Sequence, residues 1–206
     1  MSRVTKKPTD RREEIIKAAR KLFLTKDYDK TTMQDVMSAL GIAKGTIYHY
    51  FDSKEKLLEA VVLDIVNSRV ADIEKKMQQA KGSVLENLRK LVELSQVAKE
   101  YPQLVDHLHR PANAGMHTRL LAETLLKFTP IYEKLIRQGC DENIFHTEHP
   151  LECAEFILAA VQFLTDTGIY PWTKEDMIRR AKALPHLIEQ QLKAPQGTFK
   201  FLCTSW

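Results

Sequence analysis

The stretch Thr31-Thr32-Met33-Gln34-Asp35-Val36, continued through Gly41 to Lys44-Gly45-Thr46-Ile47-Tyr48-His49-Tyr50-Phe51, decides the fold. Thr31 and Thr32 are N-cap residue types, and Gln34 or Asp35 follows three residues on, the spacing of a capping box. A short helix runs from there to about Leu40, with Val36, Met37 and Leu40 on its buried side. Gly41 supplies the backbone freedom to end it sharply. Ala43 to about Tyr50 reads as the next helix, opening on small and basic residues and closing on aromatics. Two short helices broken at a glycine have the plan of a helix-turn-helix, whose second helix lies in the DNA major groove.

Upstream, Thr9 or Asp10 caps a first helix to about Thr25. Its apolar residues Ile15, Ile16, Ala19, Leu22 and Phe23 recur at three- and four-residue spacing, which makes one buried stripe. Residues 1–9 read as a disordered basic arm. Downstream, Asp52 or Ser53 caps a fourth helix that reaches about Ala80, roughly 40 Å at 1.5 Å per residue. A helix that long leaves the first domain and enters a second. Gly82-Ser83 breaks the pattern, and further helices are predicted at about 83–99, 102–110, 115–138, 150–167 and 173–192. Pro102, Pro111, Pro150, Pro171 and Pro195 fall in or near the gaps. Pro130 lies inside the 115–138 segment, which should kink or split there. The end of the chain, with Phe199, Phe201, Leu202 and Trp206, is too apolar for a solvated tail and is expected to pack on the body. No alternating Val/Ile/Thr run reads as a strand. The fold is expected to be all-α: a three-helix DNA-binding domain over 10–56, joined by a long helix to a helical bundle over 57–206.

Charge supports that division. Residues 1–60 hold 13 Lys/Arg against 9 Asp/Glu, whereas residues 61–206 hold 18 of each, so the net charge of +4 sits in the first third of the chain. A local basic surface is what a phosphate backbone requires. The 44 % apolar content suffices for a core. Three widely spaced cysteines, Cys140, Cys153 and Cys203, form no CxxC pair, which argues against a zinc site or disulfide framework and for a reduced, cytoplasmic setting. The polar N-terminus is not expected to act as a signal peptide, and no run of about 18 apolar residues suggests a membrane span.

Within the helix-turn-helix each residue has a chemical role to offer. The starts of the helices at Thr32, Ala43-Lys44 and Ser53-Lys54 present backbone N–H groups to phosphates. Thr32 adds a hydroxyl, Lys54 an ammonium, and Tyr48 and Tyr50 phenolic donors; such contacts position the protein without reading bases. Lys44 can pair with guanine, Thr46 with a base edge or a thymine methyl, and Gln34 with adenine. Gly45 lets the backbone come close, and His49 faces phosphate or base. Ile47 and Phe51 read as core. Taken singly these are ordinary caps, solvated charges and packing aromatics; the signal is their combination in order.

Residues 10–60 resemble the N-terminal domain of the TetR family of bacterial transcriptional regulators. The resemblance rests on Ile15-Ile16 with Ala19, Leu22 and Phe23; on Tyr28 ahead of Thr31-Thr32-Met33 and Val36; on Gly41-Ile42-Ala43-Lys44-Gly45-Thr46-Ile47-Tyr48 with Tyr50-Phe51; and on Ser53-Lys54-Glu55 with Leu57-Leu58. Position 49, often tyrosine in that family, is His49. The resemblance implies a homodimer on a double-stranded operator with two half-sites, and a variable helical domain whose small-molecule effector lowers DNA affinity. It implies repression and no cofactor. It names neither the effector nor the operator.

Residues 152–164 are apolar nearly all round, and such a helix must be buried on every side. With the 173–192 helix it is expected to form a four-helix dimer interface through Phe156, Ile157, Ala160, Phe163, Leu164, Ile178, Leu184 and Ile188; the alternative is that both helices belong to one monomer's core. For the effector pocket the candidates are His107, Arg110, His117, Phe128, Tyr132 and Phe163. His107 and His109 are two apart and diverge on a helix, so no metal site is expected, and the histidines of this segment read as pocket, interface or solvated groups. No GxSxG, HExxH, P-loop or dinucleotide fingerprint appears, so an enzyme is not expected. A protein-binding module that has lost DNA function is opposed by the intact Lys44, Tyr48, Tyr50 and Lys54 set.

Overall fold

A computed structural model describes residues 8–95 and 100–204. Residues 1–7 of the expected basic arm, the segment 96–99 and residues 205–206, with Trp206, lie outside the described residues; residues 8 and 9, expected in the arm, instead open the first helix. Nine α-helices and no strand occur among the described residues: α1 (Pro8–Lys26), α2 (Met33–Leu40), α3 (Lys44–Tyr50), α4 (Lys54–Gln78), α5 (Val84–Leu94), α6 (Pro102–Leu108), α7 (Ala114–Asp141), α8 (Pro150–Leu164) and α9 (Lys174–Leu192), with short 3-10 turns at Pro111–Asn113 and Lys200–Thr204. None of the described helices is long and apolar enough to cross a membrane.

The boundaries follow local chemistry. Thr32 caps α2 in a reciprocal box with Asp35: the Asp35 N–H donates to Thr32 Oγ1 at 3.1 Å, and the Thr32 N–H to Asp35 Oδ2 at 2.8 Å. Gly41 ends α2 at φ 61°, a left-handed conformation costly for any side chain. Ser83 with Glu86 and Thr173 with Asp176 repeat the box at α5 and α9. The helix does not split at Pro130: α7 runs through it for 28 residues. Pro130 is exposed, and so is Leu126 four residues earlier, at 68 %. The carbonyl deprived of its N–H partner thus lies on the side where water can serve it.

The chain divides into two compact units. One takes residues up to Ser68 together with Tyr101–His107; the other takes Arg69–Glu100 and everything from Leu108 on. In the first, α1 packs on α2 and α2 on α3. Ile15, Ala19, Phe23, Val36, Ile47, Phe51, Leu57, Leu58 and Val61 are among its most deeply buried residues. In the second, the core gathers Ile73, Val84, Leu88, Leu91, Phe128, Leu135, Phe145, Cys153, Ile188 and Leu192. The terminal segment belongs to it: the Phe199 ring stacks on Phe145 at 5.8 Å, and the buried Glu189 carboxylate accepts the Gly197 and Phe199 N–H groups at 2.8 and 3.1 Å. Pro185, absent from the expected breaks, also sits inside a continuous helix, α9.

Candidate nucleic-acid interface

The helix-turn-helix is anchored from one side and bare on the other. Ile47 is fully buried and Phe51 nearly so, while Ala43, Lys44, Gly45, Tyr48 and His49 are exposed and Thr46 and Tyr50 half-buried. Helix α3 begins at Ala43, which offers no side-chain cap. Its first N–H groups are therefore of the kind that an incoming acceptor satisfies. Gly45 adds to this bareness: a Cβ built on it meets no atom within 4 Å, and its φ is not positive. Neither packing nor backbone geometry within the chain asks for glycine there. Lys44 Nζ lies 5.8 Å from the centre of the Tyr48 ring, and His49 meets Tyr50 edge-on at 5.0 Å.

Two residues expected to offer donors are already engaged. The Thr32 hydroxyl donates to Asp35 Oδ2 at 2.8 Å, and its N–H goes to the same carboxylate. Lys26 joins it at 2.8 Å. Hydrogen bonding from Lys26 first, then from the Thr32 backbone and hydroxyl, holds the Asp35 carboxyl down at about 2. Asp35 thus fills the anion position at the start of α2, and Met33 and Gln34 carry the N–H groups that remain. Lys54 likewise does not extend outward. Its Nζ sits 4.0 Å from the Tyr28 ring centre and donates to the Asp29 carbonyl at 3.4 Å. Exposed Gln34 donates to Ser38 Oγ at 3.3 Å.

Phe23 meets Tyr28 edge-on at 5.0 Å, and the His107 ring packs on Tyr28 at 3.9 Å with Nδ1 3.7 Å from Asp29. Arg20 donates to Asp64 at 3.0 Å and to the Tyr101 hydroxyl at 3.3 Å. Residues 101–107 are therefore part of the scaffold that carries the reading helix, a partnership across about eighty residues of sequence that no local spacing signals.

The residues expected to line an effector pocket are dispersed. His107 packs on Tyr28 in the first unit, and Arg110 is exposed. Phe128 is core and Tyr132 packs against that core, whereas Phe163 is 45 % exposed, edge-on to Tyr170. His117 is buried against Asp166, a residue that sequence spacing did not single out, since it lies far along the chain. Of the expected interface residues, Phe156, Phe163, Leu164 and Ile178 are exposed and Ala160 half-buried. Ile157 packs against the core, and Leu184 and Ile188 are turned inward, because α9 directs that side of its turn into the second unit.

Known proteins share both halves. Residues 15–61 match the family described as "Bacterial regulatory proteins, tetR family", and residues 96–186 the "Tetracyclin repressor-like, C-terminal domain". The chain is 26 % identical over 174 residues to the uncharacterized HTH-type transcriptional regulator YfiR of Bacillus subtilis, covering 82 % of this chain and 85 % of that one. It is 27 % identical to the HTH-type transcriptional repressor KstR2 of Rhodococcus jostii, over 77 % and 76 % of the two chains. A TetR-family transcriptional regulator from Pectobacterium atrosepticum has the same fold, with a TM-score of 0.63 at 21 % identity, over 93 % of this chain and all of that one.

Proposed function

The chain belongs to the TetR family of bacterial regulatory proteins, and from that premise we propose that it is a repressor that docks α3 in the major groove of an operator and leaves it when an effector binds the second unit. One observation carries the reading. The outer face of α3 presents Ala43, Lys44, Gly45, Tyr48 and His49, and Gly45 has no reason within the chain to lack a side chain.

Lys44 and Thr46 are the base-reading residues, Tyr48, His49 and Tyr50 the phosphate-contacting ones, and Gly45 admits the backbone of the duplex. Thr32 acts through its cap, which sets the start of α2 and keeps the Met33 and Gln34 N–H groups aimed outward. Lys54 braces Tyr28 and lends its charge to the basic face. Two copies related by a two-fold axis present two such helices to two half-sites one helical turn apart. The protein acts in the cytoplasm, where its operator is.

Selection from a random duplex pool with the purified chain, followed by binding measurements at several salt concentrations, tests this. The expected result is an inverted-repeat sequence bound with an affinity that falls linearly in log–log against salt. Recovery of no sequence above the background of non-specific DNA would sink the reading.

A further inference from the structure

We propose that His109, His117 and Asp166 form a binding site for a divalent transition-metal ion of the Zn2+, Co2+ or Ni2+ kind. Nε2 of His117 lies 2.9 Å from Asp166 Oδ2, Nε2 of His109 lies 3.6 Å from Oδ1 of the same carboxylate, and the three ligand atoms all fall within 4.8 Å of one another. Bonds of about 2.0–2.2 Å to one tetrahedral ion set its ligands roughly 3.3 Å apart. Small rotations of the two rings close the difference. Two imidazoles with one carboxylate select ions of borderline softness over Mg2+ and Ca2+, which take oxygen ligands.

The surroundings are built for these three groups. Asp166 Oδ1 accepts the N–H of Gly168 at 2.8 Å and of Ile169 at 3.2 Å, so the turn after α8 orients the carboxylate as outer-shell partners of a metal do. Gly168 in turn makes room for the ligand: a Cβ there would lie 2.3 Å from His109 Cδ2. Without that glycine the His109 ring could not sit where it does.

A carboxylate so little exposed needs a partner, but one histidine suffices for that. Here two rings, 5.0 Å apart and tilted by 36°, bring a nitrogen each to the same carboxylate. They come from separate places: His109 from just after α6, His117 from the start of α7, and Asp166 from just after α8. The His117 and Asp166 side chains are 9 % exposed, and His109, at 24 %, leaves an approach from solvent. Three protein ligands leave a further coordination position for water or an outside ligand. All three residues belong to the second unit, so the site stands or falls apart from the DNA-binding reading.

The test is titration of the full chain, stripped with a chelator and dialysed, with Co2+ alone. The expected result is saturable visible absorption of a four- or five-coordinate ion at one equivalent per chain, displaced by Zn2+, with a rise in melting temperature on adding Zn2+. His109→Gln, His117→Ala and Asp166→Asn should each weaken Co2+ binding by more than about tenfold, whereas His146→Ala and His149→Ala should leave it unchanged. Circular dichroism in chelator checks that each variant is folded, and if one is not, the wild-type titration decides. Absence of saturable absorption at one equivalent in the wild type, or an unaltered spectrum in folded His117→Ala, overturns the proposal.

Discussion

At Gly45 an added methyl group meets no atom of the chain, and the backbone there is ordinary helix. Alanine is the better helix former by about 1 kcal/mol in a helix interior and by less near an end. Gly45→Ala is therefore expected to fold as well as the parent or slightly better, yet to bind the operator at least about tenfold more weakly, since about 1.4 kcal/mol of lost contact at the groove suffices. Urea unfolding and a binding isotherm on one preparation check both halves; unchanged affinity would remove Gly45 from the interface. Asp35 gives a pH signature. Its carboxyl sits at about 2 when folded, below the ordinary 3.8, because Lys26 and Thr32 hydrogen bond to the charged form. The stability this contributes is complete above the unfolded value and is lost as pH falls through about 2. The difference in urea midpoint between the parent and Asp35→Asn should accordingly shrink as pH drops from 5 to 2. Residue identities on α3 were legible from sequence because the helical period assigns Ile47 and Phe51 inward and Lys44 and Tyr48 outward. The Thr32–Asp35 box was legible too, but Lys26 joining Asp35 and Lys54 turning onto Tyr28 were not, because those contacts cross a turn whose geometry spacing does not encode.

Element boundaries were legible wherever a cap or a glycine marks them. Thr32, Ser83 and Thr173 start helices, Gly41 stops one, and each observed terminus lies within a few residues of the expected one. Where the outcome turned on solvation or on packing far along the chain, spacing said less. Pro130 does not split α7, since its face is open to water. Residues 101–107, by sequence simply a helix of the second half, pack on Arg20 and Tyr28 in the first unit. Near its end α7 carries a glycine with the opposite character to Gly45. A Cβ on Gly139 would lie 2.2 Å from the Phe145 ring, which is 1 % exposed and stacked on Phe199. That ring has nowhere to go. Gly139→Ala should cost about 1–3 kcal/mol by overpacking, in spite of the gain in helix propensity, and a denaturant titration reads it directly. Stability equal to the parent's would mean that Phe145 and the terminal segment can shift together, and that the segment is not tightly held.

At the scale of the whole molecule, the all-α architecture follows from the sequence pattern, but separating the two sides of the helix proposed for self-association needed the structure. Helix α8 is apolar all round, and only one side of it is buried: Cys153 and Ala154 are core, with Ile157 and Leu158 packed against it. Phe156, Ala159, Phe163 and Leu164 remain exposed around half-buried Ala160, along one face at helical spacing. With Phe156 at 64 % and Leu187 on α9 at 60 %, this is apolar area that a symmetric partner would remove from water, at roughly 25 cal/mol per Å2. Small residues between two phenylalanines let two such helices approach closely. The parent is therefore expected to sediment as a dimer and the double variant Phe156→Asp/Leu187→Asp as a monomer. Its helicity and melting cooperativity should persist, because both side chains are exposed within the single chain. Its operator affinity should fall steeply, because two half-sites then have to be bound without the effective concentration that linkage provides. Ile188→Asp is the contrasting case: at 7 % exposure within the second core it buries an unpaired charge and should unfold that unit instead of splitting a dimer. A double variant that still sediments as a dimer would show that the two copies meet through another face, and that α8 is apolar for a different reason.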